Sequence, residues 1–280
     1  MIGIVTGATR VAGVVGYPVR HSLSPLIHNA WLVATGLDGV YVAFAPEPGR
    51  FAALIEGFRG AAVVGLNVTA PFKEQALVVA DHASGRALDA GSANLLLFRD
   101  DGRIEADNTD GEGLLAAFAS QAPGHDLASN PVLILGAGGA ARGAASAFIH
   151  AGSPHVLIIN RDRSRGEALA MSLGANVEAP SPARLKDLLG SLGAVVNATP
   201  AGLEAAKAFG INVASLAPRA VVMDMVYRPV ITPLLAAAQA RGLTTVDGLE
   251  MLIGQARPSF EAMFERPAPA LDVRALAMAS

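Results

Sequence analysis

The sequence predicts an α/β protein with mainly parallel sheets and two domains, and three observations support this prediction. Short runs that are apolar throughout recur along the chain, and stretches of helical length separate most of them. Strands of this composition are typical of parallel sheets that helices cover on both faces. A polar segment with two prolines, at residues 121–131, comes just before a new strand and indicates a domain boundary.

The predicted elements follow from the apolar runs and the turn signals between them. Strands are expected at residues 11–16, 40–45, 62–68, 132–135, 155–160, 194–197, 220–223 and 243–246. Helices are expected between them, for example at residues 25–35, 140–151 and 165–173, and a last one at residues 249–265. Residues 94–99 and 103–106 flank an Asp-Asp-Gly turn, which is typical of a hairpin.

The composition excludes several classes of function. The 280-residue chain is 52% apolar and 16% charged, so it can form a large core and is not disordered. It has no cysteine, which excludes disulfides and thiolate metal sites. Its six histidines are scattered without a common metal-ligand spacing, so no metal site is expected. A net charge of −3 without a basic stripe argues against a nucleic-acid partner.

The hydropathy pattern bears on location. Charges, glycines or prolines interrupt every apolar segment before it reaches the length of a membrane span. The start of the chain lacks the basic region and the long apolar region of a signal peptide. We therefore expect no membrane partner and a cytoplasmic location. A homodimer stays open, because the sequence does not locate an apolar patch for it.

A glycine-rich turn joins the strand predicted at residues 132–135 to a helix. Gly136 and Gly138, with Ala141 in the third position, approximate the G-x-G-x-x-G/A pattern of dinucleotide-binding proteins. The first glycine permits the turn, the second lets the backbone approach a pyrophosphate, and the small third residue lets helix and strand pack. Because a second strand follows within about 30 residues, as that motif requires, we expect a dinucleotide site of the Rossmann type.

The end of that second strand bears on the choice of cofactor. An NAD site carries an acidic residue there, about twenty residues after the glycines, to bind the ribose hydroxyls. This chain has Asn160, followed by Arg161 and Arg165. Guanidinium groups can form paired hydrogen bonds with a 2′-phosphate, so the pattern favours NADP. Asp162 interrupts the cluster and could pair with an arginine or accept a hydrogen bond from a ribose.

Three motifs in the first part of the chain place polar residues at the end of a strand or the start of a helix. They are HSLSP with Ser22 and Ser24, NVTAPFKEQ with Lys73 one turn inside a predicted helix, and DNTDG with Asp110. Each has an ordinary structural explanation, such as helix capping or a lysine that reaches solvent. They also lie where open α/β sheets bind ligands, at the carboxyl ends of strands.

Taken together and in this order, the motifs resemble those of the shikimate dehydrogenase family. The resemblance covers essentially the whole chain, through HSLSP, NVTAPFK, the asparagine of GSANLL, DNTDG, GAGGAARG, NRDRSR, NATP, DMVY and DGLEMLIGQA. Three positions depart from the family pattern, namely Asp162, Leu95 and Glu250, and none of them removes a proposed catalytic group. The departure at Asp162 bears on how strictly the protein selects NADP over NAD.

The resemblance implies a substrate-binding domain at residues 1–110, joined by a C-terminal helical segment at 249–280 that packs back on it. It implies a Rossmann-type NADP-binding domain at residues 111–248. Lys73 and Asp110 would be the catalytic pair. The substrate would be bound by Ser22, Ser24, Thr69, Asn94, Tyr227 and Gln255. The cofactor would be bound by Gly136, Ala137, Gly138, Gly139, Ala140, Asn160, Arg161, Arg165, Met225 and Gly248.

The activity that the resemblance implies is the reversible NADPH-dependent reduction of 3-dehydroshikimate to shikimate. A lysine ammonium can stabilise the alkoxide that develops and deliver a proton to it. The alternatives are a quinate/shikimate dehydrogenase with relaxed cofactor use, a paralogue acting on an amino analogue of shikimate, and a non-catalytic dinucleotide sensor. Retention of both Lys73 and Asp110 argues against the sensor, and HSLSP and DNTDG argue against a folate dehydrogenase of similar architecture.

Overall fold

A computed structural model describes residues 5–208 and 211–280 and divides the chain into two compact α/β units. The first unit contains the chain up to Thr109 together with Gln255–Ser280, and the second contains Asp110–Gly254. The prediction of an α/β protein with two sheets is confirmed. Within the part of the chain that the structure describes, no helix has both the length and the apolar character needed to cross a membrane.

The first unit is built on a mixed six-stranded sheet. Its strands are β1 (Arg10–Val15), β2 (Gly39–Phe44), β3 (Val63–Val68), β4 (His82–Ala83), β5 (Leu95–Phe98) and β6 (Ile104–Asp107), in the order β2-β1-β3-β5-β6-β4. The pairs β1–β2, β1–β3 and β4–β6 are parallel. The predicted hairpin is confirmed, since β5 pairs antiparallel with β6 and also with β3.

Helices cover both faces of this sheet. They are α1 (Ser24–Thr35), α2 (Phe51–Phe58), α3 (Lys73–Val79) and α4 (Gly85–Ala90). On one face, Phe51 of α2 stacks on Phe72 with ring centroids 4.8 Å apart, and both rings are fully buried. Such pairs contribute roughly 0.5–1.5 kcal/mol beyond the area they bury. The stack anchors the segment between β3 and α3, from which candidate site residues project.

The second unit is a six-stranded parallel sheet. Its strands are β7 (Val132–Leu135), β8 (Val156–Ile159), β9 (Val177–Glu178), β10 (Ala194–Asn197), β11 (Val221–Asp224) and β12 (Thr244–Asp247), in the order β12-β11-β10-β7-β8-β9. Its helices are α5 (Asp110–Gln121), α6 (Gly139–His150), α7 (Arg163–Leu173), α8 (Pro182–Leu188), α9 (Gly202–Ala208) and α10 (Pro233–Ala240). The chain order reverses between β7 and β10, which is where sheets of this kind bind ligands.

The alternation of side chains along the strands explains why both faces of this sheet are covered. Val132 and Ile134 of β7 pack into one core, whereas Leu133 and Leu135 pack into the other. All four are fully buried. Strands that are apolar at every position therefore sit between two helical layers, as the sequence predicts.

The polar segment at residues 121–131 is not the domain boundary that its composition suggested. It lies within the second unit, between α5 and β7. The reason is that α5 already packs on α6, with the rings of Phe118 and Phe148 perpendicular and 5.5 Å apart. The segment is a loop inside that unit, and the chain enters the unit at Asp110.

The C-terminal part of the chain completes the first unit. Helix α11 (Gly248–Phe264) contributes its residues from Gln255 onward to that unit, and α12 (Val273–Met278) follows. Phe260 packs edge-on against Trp31 with centroids 5.5 Å apart. Arg10 donates a 2.7 Å hydrogen bond to the carbonyl oxygen of Met263. The predicted return of the last helix to the first unit is confirmed by these contacts.

Candidate active site

The two serines of HSLSP lie at the start of α1. Ser24 is the first residue of the helix, and Ser22 accepts a 3.3 Å hydrogen bond from the backbone N–H of Ser24. Pro25 occupies the first turn, where a missing N–H costs nothing. Ser24 is buried and Ser22 is partly buried. This helix end offers two hydroxyls at a helix N-terminus, a setting that suits a carboxylate.

Thr69 and Lys73 follow β3 on a tight connection. The backbone N–H of Phe72 donates to the carbonyl oxygen of Thr69 over 3.0 Å, and the N–H of Ala93 donates to that of Lys73 over 2.9 Å. Lys73 is the first residue of α3, so the prediction that it lies one turn inside the helix is wrong. Helix α3 begins later than expected because Phe72, whose ring is buried in the core, occupies the N-cap position. The Lys73 side chain is only partly buried.

Asn94 is the hub of a hydrogen-bond network next to the connection between β3 and α3. Its Nδ2 donates to Oε1 of Gln255 over 2.8 Å and to Oγ1 of Thr109 over 3.0 Å. Its Oδ1 accepts from the backbone N–H of Thr109 over 2.8 Å, and its backbone oxygen accepts from Val68 over 2.8 Å. Asn94 is 2% exposed. The side-chain amide of Asn94 is thus bonded both to Gln255 and to the DNTDG segment.

The bond from Asn94 sets the orientation of the Gln255 amide. With Oε1 of Gln255 accepting from Asn94, the Nε2 group of Gln255 is left as the free end of the side chain. Gln255 is partly buried on α11. The arrangement therefore presents two N–H donors, which suits hydrogen bonds to the hydroxyl or carbonyl oxygens of a small polar substrate.

A polar chain that sequence reasoning missed runs from the buried Tyr41 to this hub. The Tyr41 hydroxyl donates to Oδ1 of Asn67 over 2.8 Å. Nδ2 of Asn67 donates to Oγ of Ser259 over 2.9 Å and to the Asn94 carbonyl over 3.2 Å. Burial raises the pKa of Tyr41 well above its usual range, so the phenol stays a donor. Of Tyr41, Asn67 and Ser259, only Asn67, the first residue of the NVT motif, carried a sequence signal.

Asp110 and Tyr227 belong to the second unit. Asp110 is the first residue of α5 and is 6% exposed. A carboxylate at a helix start is favoured by the macrodipole and by the free N–H groups there. Tyr227 follows β11, and burial raises the pKa of its phenol, an effect that Arg228 partly opposes. The structure thus gives Asp110 a buried setting and Tyr227 a neutral hydroxyl.

The glycine turn in the second unit has the geometry of a phosphate site. Gly136 has φ +115°, which a residue with a side chain rarely adopts, and an added Cβ would come within 3.0 Å of the Thr199 methyl. Helix α6 begins at Gly139, with Gly138 as an N-cap that makes no side-chain bond to the first N–H groups. Those N–H groups remain available to a pyrophosphate.

A cavity of about 620 Å³ opens over this turn. Its lining combines the glycine turn with the ends of β8 and β10, and it consists of Gly136, Ala137, Gly138, Asn160, Arg161, Arg165, Ala198, Thr199, Pro200, Ala201 and Glu204. The predicted Ala140 lies on the first turn of α6. The size and the donor set fit the adenosine and phosphate part of a dinucleotide.

The Asp162 side chain forms no ion pair with an arginine among the described residues. Its carboxylate caps α7, accepting from Oγ of Ser164 over 2.7 Å and from the backbone N–H of Arg165 over 3.4 Å. These two hydrogen bonds, with that of Ser164 the larger cause, lower the pKa of Asp162. Among the described residues, Arg161 and Arg165 form no ion pair with an acidic side chain. Both guanidinium groups are free to meet a phosphate.

Met225 and Gly248 meet at the carboxyl ends of β11 and β12. A Cβ on Gly248 would lie 2.5 Å from the carbonyl oxygen of Met225, so only glycine fits there. Gln121 secures the segment by donating to the Asp247 carboxylate over 2.8 Å and accepting from its N–H over 2.9 Å. The ends of β11 and β12 are thereby held in close backbone contact, which depends on the glycine.

A second polar group was missed by sequence reasoning. Asp224, fully buried at the end of β11, accepts from Nδ2 of Asn197 over 2.8 Å and from Oγ1 of Thr232 over 2.7 Å. Asn197 in turn accepts from Oγ1 of Thr199 over 2.7 Å. These bonds fix the loop after β10 that lines the cavity. In residues 5–208 and 211–280, no three His, Asp or Glu side chains come together as a metal site.

Two family models match the chain. The first, described as the shikimate dehydrogenase substrate binding domain, matches residues 14–96. The second, described as shikimate / quinate 5-dehydrogenase, matches residues 117–252. The two matches fall within the first and the second structural unit, respectively.

Curated and solved relatives cover nearly the whole chain. An NADP(+) shikimate dehydrogenase of Caulobacter vibrioides is 52% identical over 279 residues, which are 99% of this chain and 98% of the relative. The structure of a shikimate 5-dehydrogenase from Thermus thermophilus, in complex with NADP(H) and shikimate, has a TM-score of 0.82 at 33% identity and covers 93% of this chain and 95% of its own. A quinate dehydrogenase from Corynebacterium glutamicum in complex with NAD has a TM-score of 0.85 at 28% identity, with coverage of 96% and 97%.

Proposed function

The chain belongs to the shikimate dehydrogenase family, and on that premise we propose that it catalyses the reversible NADPH-dependent reduction of 3-dehydroshikimate to shikimate. It is an oxidoreductase that acts on a CH–OH group and serves aromatic amino acid biosynthesis through chorismate. The observation that carries the proposal is the full-length similarity to NADP(+)-dependent relatives, with the polar groups of every motif retained.

In the proposed substrate site, Ser22 and Ser24 bind the carboxylate at the start of α1. Thr69 and the Nε2 group of Gln255 bind ring oxygens, and Asn94 holds Gln255 in place. This assignment is supported by the hydrogen bond between Asn94 and Gln255 and by the position of both serines at the start of α1, where Ser22 accepts from the Ser24 N–H. Tyr227 covers the same substrate in this proposal, with its phenol neutral at physiological pH.

In the proposed chemistry, Lys73 donates a proton to the oxygen that becomes the alkoxide when the ketone is reduced. A positioned general acid of this kind contributes about 10²–10⁴-fold to the rate. Asp110 orients the ammonium and accepts a hydrogen bond from the neighbouring hydroxyl. The cost of a cation at the first position of α3 is about a few tenths of a kcal/mol, which a functional role outweighs.

The cofactor is NADP, and the second unit carries the groups that fit it. When bound, NADPH supplies the hydride. The N–H groups at the start of α6 bind the pyrophosphate, and Gly136 and Gly138 let the backbone approach it. Asn160, Arg161 and Arg165 bind the 2′-phosphate, and the surface at Met225 and Gly248 holds the nicotinamide ring.

The test is the reduction of NADP⁺ by shikimate, followed through the absorbance of the reduced nicotinamide, with NAD⁺ and quinate run alongside. Turnover with shikimate and NADP⁺ well above the other pairs is the expected result. Comparable turnover with quinate or NAD⁺ would place the protein in the dual-specificity branch. Absence of turnover with every pair would refute the proposed reaction.

The cytoplasmic location and the homodimer remain predictions. Analytical ultracentrifugation of the purified protein tests the homodimer directly. A sedimentation coefficient of a 28.5 kDa monomer across the accessible concentration range would exclude the dimer.

A further inference from the structure

A second cavity adjoins the dinucleotide cavity of the second unit. It has a volume of about 520 Å³ and lies at the carboxyl end of β8 and beyond the end of β9. Asn160 and Arg161 line both cavities, so the two spaces meet at the residues expected to bind the 2′-phosphate. The carboxyl edge of a parallel sheet is where such folds bind ligands.

The charged residues that line this cavity are all basic. Its lining contains Arg161, Arg163 and Lys186 and no acidic side chain. Arg163 is engaged with Glu167 at 2.7 Å, whereas Lys186 forms no ion pair among the described residues. The wall beside these cations is apolar and is formed by Ile158, Ile159, Ala179, Pro180, Pro182 and Leu185. Lys186 itself is exposed, so its ammonium can reach an anion in this cavity without first breaking an ion pair.

The 2′-phosphate of the cofactor needs cations here, because it carries a charge of roughly −1.5 to −2. Asp162 adds a negative charge to the loop after β8, and its hydrogen bonds to Ser164 and the Arg165 N–H lower its pKa and keep it ionised. A cation from another element would compensate for that charge. Lys186, on α8, is the residue whose position and lack of a partner meet this need.

We propose that Lys186 is a further determinant of NADP selectivity, and that its ammonium binds the ribose 2′-phosphate across the cavity that it shares with Asn160 and Arg161. The inference rests on the proposed function, since it concerns the same cofactor. It adds a contribution from α8 to a site that the motifs place only on the loop after β8.

Arg184 provides a matched control on the same helix. It is an exposed cation two residues from Lys186, but it is held by Glu178 at 2.9 Å and does not line the cavity. Removing either side chain changes the net charge equally. Only Lys186→Ala removes a cation that faces the proposed phosphate position.

The experiment is calorimetric titration of the wild type, Lys186→Ala and Arg184→Ala with 2′,5′-ADP and with 5′-AMP. These fragments differ by the phosphate in question, and no turnover is needed to read the result. Lys186→Ala should weaken 2′,5′-ADP binding about three- to tenfold, as expected for one partly exposed charge pair, and leave 5′-AMP binding unchanged. Arg184→Ala should change neither affinity, and circular dichroism should show the same fold in all three proteins.

Three results would overturn the proposal. The first is equal weakening of both fragments by Lys186→Ala, which would indicate a general effect on the loop. The second is unchanged 2′,5′-ADP binding in that variant while shikimate still reduces NADP⁺. This result would exclude Lys186 as a determinant of NADP selectivity and leave the proposed function intact. The third is inorganic phosphate competing with 2′,5′-ADP at the same affinity, which would indicate a free-anion site. A wild type without preference for 2′,5′-ADP would refute both the lysine's role and NADP selectivity.

Discussion

Asn94, the residue before β5, donates a hydrogen bond of 2.8 Å to Oε1 of Gln255, a residue 161 positions later on α11. The bond joins a strand of the first unit to the last long helix at the point where that helix enters the unit. It also decides which end of the Gln255 amide is free. A single contact thereby couples the assembly of the first unit to the presentation of substrate-binding donors.

We predict that Asn94→Ala lowers the free energy of unfolding by about 1–3 kcal/mol, because it leaves the buried N–H of Thr109 without an acceptor. Gln255→Ala should cost less, since Gln255 is only partly buried. Urea denaturation of both single variants and the double variant measures the coupling. We expect the destabilisation of the double variant to be smaller than the sum of the two single-variant destabilisations by about 0.5 kcal/mol or more. Strict additivity would show that the bond contributes nothing.

We predict that Lys73→Ala lowers kcat by about 10²–10⁴-fold without changing the fold or the affinity for NADPH, because in the proposed chemistry the ammonium acts on the substrate and not on the cofactor. Steady-state kinetics and NADPH fluorescence titration provide the two readouts. Glu74→Gln is the control, since Glu74 is the exposed neighbour in the same turn and should retain full activity. Loss of NADPH affinity in Lys73→Ala would contradict the role assigned to it.

We predict that Gly248→Ala destabilises the protein by about 1–3 kcal/mol, because its Cβ would lie 2.5 Å from the Met225 carbonyl oxygen and force the two strand ends apart. Thermal unfolding measures the change. Gly57→Ala is the contrasting control, since Gly57 is an exposed residue of α2 with open space around it. That variant should gain roughly 0.5–1 kcal/mol from the helix propensity of alanine. A neutral Gly248→Ala would show that the close approach relaxes freely.

We predict that His28 makes the protein less stable as the pH falls below about 6.5. Its ring is 1% exposed and stacks on Tyr41 with centroids 4.1 Å apart, and burial lowers its pKa to about 3. Because the unfolded chain then binds the proton more readily, the free energy of unfolding decreases through this window and levels off below pH 3. Between pH 6.5 and 4.5 the contribution is roughly 2–3 kcal/mol.

The measurement is urea denaturation of the wild type and His28→Phe at several pH values. Phenylalanine preserves the stacking and cannot be protonated. The free energy of unfolding of the variant should therefore depend less steeply on pH between 6.5 and 3. His21→Ala serves as the control, because His21 is exposed and should leave the slope unchanged. Identical slopes for His28→Phe and the wild type would exclude His28 as the cause.

Much of the fold could be predicted because its signals are local. The strands of both units lie within about a residue of their predicted positions, since apolar runs between turn residues mark them directly. The two-residue strands β4 and β9 were missed because so short a pairing leaves no periodicity. The boundary at residues 121–131 was wrong because a polar composition marks any exposed loop, and only the packing of α5 on α6 distinguishes the two cases.

The sequence by itself determined the alternation of strands and helices, the glycine turn before α6 and the identity of the polar groups in each motif. These properties depend on residues that are neighbours along the chain. Only the tertiary structure decided that Asn94 orients Gln255, that Asp162 caps α7, and that Lys186 faces the same space as Arg161. Such relations depend on strand register, on which rotamer packing permits, and on distances between segments far apart in the chain. No local pattern encodes them, because each is a compromise among contacts that form only when the chain has folded.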